Sequence, residues 1–96
     1  MAQGENTIQG GNELQVAPNP FSSRTLIRFR LAQTDGVSLN VYDSRGALIA
    51  TLHQGEAEGG KQYSYELEGN ALQQGIYISR LITTKGVLHQ KMVLSR

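Results

Sequence analysis

Apolar and polar residues alternate with a period of two in short blocks along the chain. In one such block Ile27, Phe29 and Leu31 share one face, and Arg28 and Arg30 occupy the other. This alternation is typical of antiparallel strands with one buried face, because successive side chains of a strand point to opposite sides of the sheet. No block has the spacing of an amphipathic helix. The pattern therefore predicts an all-β chain.

The blocks of alternation define the predicted strands. They cover residues 14–16, 25–31, 37–42, 47–52, 61–67, 76–83 and 87–94. Gly, Asn, Asp and Pro separate them, and turns recur about every 8–12 residues, as in antiparallel sandwiches. The expected architecture is an immunoglobulin-like antiparallel β-sandwich of about seven strands. The likeness is architectural only, because the chain lacks the Cys and Trp that mark antibody domains.

The segments between the strands carry turn and loop residues. Asp43 and Gly46 occupy the first and fourth positions of a predicted type I turn. Residues 54–60 are rich in Gly and Glu and predict a longer loop between sheets. A second loop, residues 69–75, is predicted to bury Leu72.

Domain organisation follows from a change in composition near residue 14. Residues 1–13 are mostly polar, include three Gly and have one aliphatic residue after Met1, a composition that predicts a flexible linker. Residues 14–96 are predicted to form a single domain, which agrees with the 96-residue length. The chain has no Cys, so it needs neither a disulfide nor a thiolate metal site. No apolar run is long enough for membrane insertion.

Charge is distributed unevenly along the chain although the net charge is +1. All eight acids lie at or before residue 68, and the charged residues after it are the basic Arg80, Lys85, Lys91 and Arg96. Nucleic-acid binding would require a denser stripe of Lys and Arg with aromatic residues between them. The sequence therefore predicts no nucleic-acid partner.

Candidate chemistry is sparse, and the sequence predicts a protein that is not an enzyme and holds no cofactor or metal. His53 and His89 are the two histidines; neither accompanies a nucleophile motif, and both are predicted to face solvent on strands. Glu56, Glu58, Glu66 and Glu68 lack the spacing of a calcium loop and are predicted to be solvated. Tyr63 and Tyr65 could form a sugar-binding platform, but their place beside Leu67 favours inward packing.

Four short motifs follow one another in a characteristic order. They are Val16-Ala17-Pro18-Asn19-Pro20-Phe21, Val37-Ser38-Leu39-Asn40-Val41-Tyr42-Asp43 with Gly46, Leu72-Gln73-Gln74-Gly75-Ile76-Tyr77, and Gly86 with the terminal Lys91-Met92-Val93-Leu94-Ser95-Arg96. In this order the motifs resemble the C-terminal sorting domain of type IX secretion substrates in the Bacteroidetes. The resemblance covers residues 16–96. The family's usual terminal Lys is replaced here by Arg96.

The resemblance implies a noncatalytic secretion and sorting signal fused behind an N-terminal cargo. The implied partners are the type IX outer-membrane translocon, a shuttle protein and a cell-surface sortase, which cleaves many members and anchors their cargo to an anionic lipopolysaccharide. The implied route runs through the periplasm to the cell surface or the medium. Candidate recognition residues are Gly86, Lys91, Val93 and Arg96, whereas Pro18, Asn19, Pro20, Phe21, Gly75 and Tyr77 match motifs expected to be structural.

Two questions stay open on the sequence. The first is function, since an accessory module that binds carbohydrate or another surface partner, or a plain spacer, has the same size and strand content. The second is the position of the last strand. A receptor could add a strand to it if it lies at a sheet edge, whereas only its terminal residues and adjoining loops could be recognised if it is central.

Overall fold

A computed structural model of the chain describes residues 3–96, with side chains from residue 7 onward. Its strands are β1 (Gln3–Gln9), β2 (Asn12–Asn19), β3 (Arg24–Arg30), β4 (Asp35–Asp43), β5 (Leu48–Ala57), β6 (Gln62–Glu68), β7 (Gly75–Thr83) and β8 (Gly86–Leu94). They form two four-stranded sheets in the orders β1-β2-β3-β6 and β5-β4-β7-β8. Every neighbouring pair of strands runs antiparallel. The predicted all-β antiparallel sandwich is confirmed.

The hydrophobic core lies between the two sheets and follows the alternation in the sequence. In β3 the residues Thr25, Ile27 and Phe29 are buried, and the residues between them are half-buried. In β8 Leu88, Met92 and Leu94 are buried in the same way. The two sheets pack with these inward faces opposite one another, so strands of both sheets contribute apolar side chains to a common core.

An eighth strand, β1, lies where the sequence predicts a flexible linker. Residues 1–2 are outside the described part of the chain, but Gln3–Gln9 pairs antiparallel with β2, which itself starts at Asn12. Backbone hydrogen bonds hold β1, whose Ile8 is 63% exposed. The apolar pattern cannot indicate a strand that contributes few buried side chains, because backbone pairing depends on the neighbouring strand and not on side-chain type.

Strand β5 is longer than the sequence predicts. The predicted strand ends at residue 52, whereas the observed strand continues to Ala57, which is fully buried opposite Asp35. The connection between the sheets is accordingly confined to the few residues between β5 and β6. The Gly and Glu residues of this segment suggested a loop because they are rare in strands, yet the ladder with β4 continues through them.

The turn after β4 is fixed by the carboxylate of Asp43. Asp43 Oδ1 accepts hydrogen bonds from the backbone N–H groups of Arg45 and Ala47, each at 2.9 Å. The N–H of Gly46 also donates to the Asp43 carbonyl oxygen at 3.0 Å, and Gly46 has φ of +86°, which favours glycine. The hydrogen bond from Ala47 is the largest cause of a lowered pKa for the Asp43 carboxyl group, and the bond from Arg45 adds to it.

Acid should weaken this turn. Because folding lowers the pKa of Asp43, its ionised form stabilises the folded state above the ordinary value of 3.8, and that stabilisation is lost as the pH falls through the lower, folded-state pKa. In Asp43→Asn the unfolding midpoint should therefore vary less with pH below 3.8 than in the parent chain. Urea unfolding across the acid range measures the difference. Equal pH profiles for the two proteins would contradict the assignment.

No helix among the described residues is long and apolar enough to cross a membrane.

Candidate recognition end of the sandwich

Parts of all four sequence motifs meet at one end of the sandwich, which we call the motif end. It is formed by residues 19–23, 43–47, 69–77 and 91–96. In the strand ladders Leu94 lies opposite Gly75, and Tyr77 lies opposite both Met92 and Asp43. The N–H of Gly69 donates to the Ser23 carbonyl oxygen at 2.7 Å, which joins the loop after β6 to the segment after β2. Motifs that are far apart in the sequence therefore form one continuous surface.

Asn19 connects the first motif to the last strand. This side chain is 6% exposed. Its Nδ2 donates to the carbonyl oxygen of Lys91 at 2.7 Å, and its Oδ1 accepts the N–H of Val93 at 3.0 Å. The amide of Asn19 thus pairs with β8 as a peptide group of a neighbouring strand would.

Phe21 continues this attachment beyond Asn19. Its backbone N–H donates to the Val93 carbonyl oxygen, and its own carbonyl oxygen accepts the N–H of Ser95, both at 2.9 Å. The Phe21 ring is buried beside Gly69 and Leu94. A Cβ on Gly69 would lie 3.0 Å from Leu94 Cδ1 and 3.2 Å from Phe21 Cε2, so a larger residue there would push both side chains away.

The two prolines of the first motif lie on the surface on either side of Asn19. Pro18 and Pro20 are exposed, and the peptide bonds that precede them are both cis. The carbonyl oxygen of Pro18 accepts a hydrogen bond from the Thr25 hydroxyl group at 2.7 Å. These residues shape the path by which Asn19 and Phe21 reach β8.

Gly75 and Tyr77 form the opposite side of the motif end. Gly75 begins β7 with φ of +149°, a conformation that L-residues other than glycine rarely adopt. Tyr77 is 6% exposed, and its hydroxyl group donates to the Gln73 carbonyl oxygen at 2.5 Å. This hydrogen bond holds the loop before β7 against the buried ring. Leu72 in the same loop is half-buried and packs against the core.

Strand β8 is an edge strand, but the first motif covers much of its free edge. Asn19 bonds the carbonyl oxygen of Lys91 and the N–H of Val93. Phe21 bonds the carbonyl oxygen of Val93 and the N–H of Ser95. Further along, the hydroxyl group of Thr7 in β1 donates to the His89 carbonyl oxygen at 3.1 Å. A receptor strand could pair with this stretch of β8 only by displacing Thr7, Asn19 and Phe21. The folded domain therefore presents side chains here rather than unpaired backbone N–H and C=O groups.

The structure separates the candidate recognition residues into two groups. Lys91, Val93 and Arg96 lie toward the motif end, whereas Gly86 starts β8 at the opposite end of the strand. The Lys91 side chain is exposed, and no ion pair to it is found among the described residues. The guanidinium group of Arg96 donates to the Gly69 carbonyl oxygen, and its backbone N–H donates to Gln74 Oε1 at 3.0 Å.

Removing the Asn19 amide should destabilise the domain. In Asn19→Ala the carbonyl oxygen of Lys91 and the N–H of Val93 lose their partners, which should lower the free energy of unfolding by about 2–3 kcal/mol. Urea unfolding measures the loss, and amide exchange at Val93 should accelerate. Asn70→Ala is the matched control. Asn70 is exposed, and its Nδ2 makes one long hydrogen bond among the described residues, to Glu68 Oε2 at 3.5 Å. Equal stability of the two variants would contradict the role given to Asn19.

Sequence reasoning placed His53 on the solvent side of its strand, and the structure corrects this. His53 is half-buried and lies between the sheets, where its Nδ1 is 2.6 Å from the Tyr65 hydroxyl oxygen. The ring of Phe29 contacts His53 edge-on at 5.4 Å and stacks on Tyr63 at 4.9 Å. Two irregularities in the β4–β5 ladder change which β5 residues point inward, and alternation in the sequence cannot reveal them.

Tyr63 and Tyr65 pack inward, as one of the two sequence alternatives predicted. Both are half-buried against the core. Burial is the main cause of the raised pKa of the Tyr65 phenol. His89, in contrast to His53, is exposed on β8.

The glutamates considered for calcium do not gather at one point. Glu66 lies 3.6 Å from Arg24, and Glu58 lies 3.9 Å from Lys61. Among the side chains that the structure describes, from residue 7 onward, no three acidic or histidine groups are close enough together to hold a metal ion.

Three residues that contact the motif end or cover β8 were not singled out from the sequence. Gly69 receives Arg96 and borders Phe21, Gln74 accepts the Arg96 N–H, and Thr7 covers part of β8. Their contacts join residues 22 to 82 positions apart. No local spacing could indicate these residues. The one usable signal in the sequence is the glycine at position 69, since a Gly in a loop next to a motif can mark close packing.

Comparison with known proteins agrees with this arrangement. A family model described as a secretion system C-terminal sorting domain matches residues 15–95, which include most of β2, all of β3 to β8 and the motif end except Arg96. No curated protein sequence matches the chain significantly. Because the match covers most of its length, the chain belongs to the family of C-terminal sorting domains that act as signals for type IX secretion.

Proposed function

We propose that the motif end is the surface by which this sorting signal is recognised, and that Lys91, Val93 and Arg96 are its principal contacts. The observation that carries the proposal is the attachment of the last strand to the first motif through Asn19 and Phe21. That attachment holds the terminal basic residues on a rigid surface. Fixed groups are recognised at a lower entropic cost than the same groups on a flexible tail.

The charges of the motif end suit recognition by an acidic receptor surface. Lys91 is exposed and has no ion pair among the described residues, and the same terminal motif ends in the exposed Arg96. We propose that the outer-membrane translocon and its shuttle protein bind here after the cargo and the domain have entered the periplasm. A cell-surface sortase then cleaves the chain before the domain and anchors the cargo. The domain itself is noncatalytic and binds no cofactor.

The domain boundary within this proposal also involves β1. We propose that residues 14–96 are the sorting domain and that the segment before it joins the cargo and contains the cleavage region. The pairing of Gln3–Gln9 with β2 supports a connection that leaves the cargo close to the domain, since Gln3 lies opposite Asn19. Recognition and cleavage would then occur at the same end of the sandwich.

Removing the terminal charges should slow export without unfolding the domain. In the double variant Lys91→Gln and Arg96→Gln, stability should fall by about 1 kcal/mol or less, because both residues are exposed and only Arg96 makes a side-chain hydrogen bond. Charge at the rim of an interface mainly sets encounter rate and specificity. A reporter fused to this variant should therefore accumulate, folded, in the periplasm of a host with type IX machinery.

The matched control removes two positive charges at the other end of the sandwich. Lys61→Gln and Lys85→Gln both change exposed residues that lie away from the motif end. Secretion of the fused reporter and the thermal stability of each purified variant are measured together. Full-speed export of the Lys91/Arg96 variant, or an equal defect in the control, would refute recognition through the terminal charges.

A further inference from the structure

The two solvent faces of the sandwich differ in character. On the outer face of the β1-β2-β3-β6 sheet, basic and acidic residues mix, as in the contact between Arg24 and Glu66. The outer face of the other sheet carries several exposed apolar side chains among its polar ones. Three of its side chains, Leu48, Ile76 and Val87, are among the most exposed large hydrophobic residues of the described chain, at 56%, 46% and 39%.

The strand ladders bring these apolar residues together around one arginine. In β7, Ile76, Ile78 and Ile82 point outward with Arg80, because the residues between them are buried. Tyr42 lies next to Ile78 in β4, and Val87 lies next to Ile82 in β8. We call this surface the Arg80 face and define it by Tyr42, Ile76, Ile78, Arg80, Ile82 and Val87.

Arg80 is held in place but has no charged partner. Its guanidinium carbon lies 4.9 Å from the centre of the Tyr42 ring, which fixes the group over the aromatic face. Its Nε is buried and has no hydrogen-bond partner in the described residues, and no ion pair to Arg80 occurs there. A positioned guanidinium group with free donors is suited to a carboxylate, which it can bind through two parallel hydrogen bonds.

A shallow groove leads to Arg80 from the motif end. It has a volume of about 330 Å³, and its lining includes Tyr42, Ile76, Ile78 and Arg80. Asp43 also lines the groove, but its carboxylate is used by the backbone of its own turn and lies 3.6 Å from Arg45. An incoming carboxylate would therefore meet apolar side chains together with two basic groups that have no ion-pair partner among the described residues, Arg80 and the neighbouring Lys91.

We propose that the Arg80 face docks an extended acidic segment of another protein, with a carboxylate on Arg80 and apolar side chains on the surrounding residues. Arginine and tyrosine are enriched at interface hot spots, where surrounding groups exclude water from the central contact. Along β7 Arg80 is flanked by Ile78 and Ile82, and across the ladders it lies between Asn40 and His89. A second copy of the chain would bring Arg80, His89 and Lys91 against the same basic groups. Lys91 lies opposite Ile78, so the Arg80 face borders the motif end, and the binding experiment below tests it separately from export.

The probe for this docking is a short acetylated peptide in which valine and glutamate alternate. Backbone amide chemical shifts of the full chain are followed by NMR as the peptide is added. We expect shifts on β4, β7 and β8 around Arg80, and weaker or no binding of a peptide with glutamine in place of glutamate. Arg80→Gln should weaken binding about tenfold or more, since it removes a charge-assisted contact.

Two further variants keep the result interpretable. Arg28→Gln is the matched control, because Arg28 lies at the middle of β3 on the outer face of the other sheet. Ile76→Ser changes an exposed residue of the Arg80 face and should weaken binding without unfolding the chain. Shifts confined to other surfaces, or equal losses in the Arg80 and Arg28 variants, would overturn the proposal. So would binding to phosphatidylglycerol vesicles without binding to the peptide, or dimerisation through this face.

Discussion

Phe21→Ala should destabilise the domain more than any other substitution considered for this chain. Phe21 is 2% exposed, and its ring fills the space between Gly69 and Leu94 at the motif end. Truncating a buried phenylalanine costs about 3–5 kcal/mol, which is a large share of the stability of a small domain. Urea unfolding should show this loss, and amide exchange of Ser95 should accelerate because its N–H donates to the Phe21 carbonyl oxygen.

Phe21→Leu is the matched control for the loss of the ring. Leucine keeps most of the buried apolar volume and leaves the backbone hydrogen bonds to β8 in place, so its cost should be about 1.5 kcal/mol or less. Export of a fused reporter should fail for the alanine variant and persist for the leucine variant. A loss below about 1 kcal/mol in Phe21→Ala would show that the ring does not hold the last strand.

Tyr77→Ala should have the second largest effect, by about 3–4 kcal/mol. Its ring is 6% exposed, and its hydroxyl group bonds the Gln73 carbonyl oxygen at 2.5 Å. Tyr77→Phe separates the two contributions, because it keeps the ring and removes only the hydrogen bond, at about 1 kcal/mol. Thermal unfolding of both variants measures the contributions of the ring and the hydroxyl group.

The export of both Tyr77 variants should follow their stability. Tyr77 is buried, so a receptor does not contact its ring in the folded domain. The defect in export should therefore be severe for alanine and slight for phenylalanine. A phenylalanine variant that is stable and yet not exported would show that the tyrosine hydroxyl group takes part in recognition directly.

The covering of β8 bears on how a sorting signal can be recognised while folded. A strand at a sheet edge usually invites pairing with another chain, and proteins commonly cover or interrupt such edges. Here the side-chain amide of Asn19 and the backbone of Phe21 take the place of a neighbouring strand. The same motif therefore covers the edge and fixes the backbone of β8 at Lys91, Val93 and Ser95.

The sequence alone determined the fold class, the seven strands after β1 and most of the buried face of each strand. These features are local, because period-two alternation of apolar residues sets which face of a strand is buried. In β3 the residues predicted to share the buried face, Ile27 and Phe29, are buried as expected. The order of the motifs also identified the family, to which the chain belongs.

Only the tertiary structure decided where the strands lie and what covers them. Strand β1 is held by backbone pairing, the orientation of His53 depends on irregularities in a ladder, and the edge position of β8 follows from the order of strands in the sheet. Asn19 bonds Lys91 and Val93 across 72 and 74 positions of the chain. Such contacts exist only once distant segments have packed together, so local patterns of residue type cannot specify them.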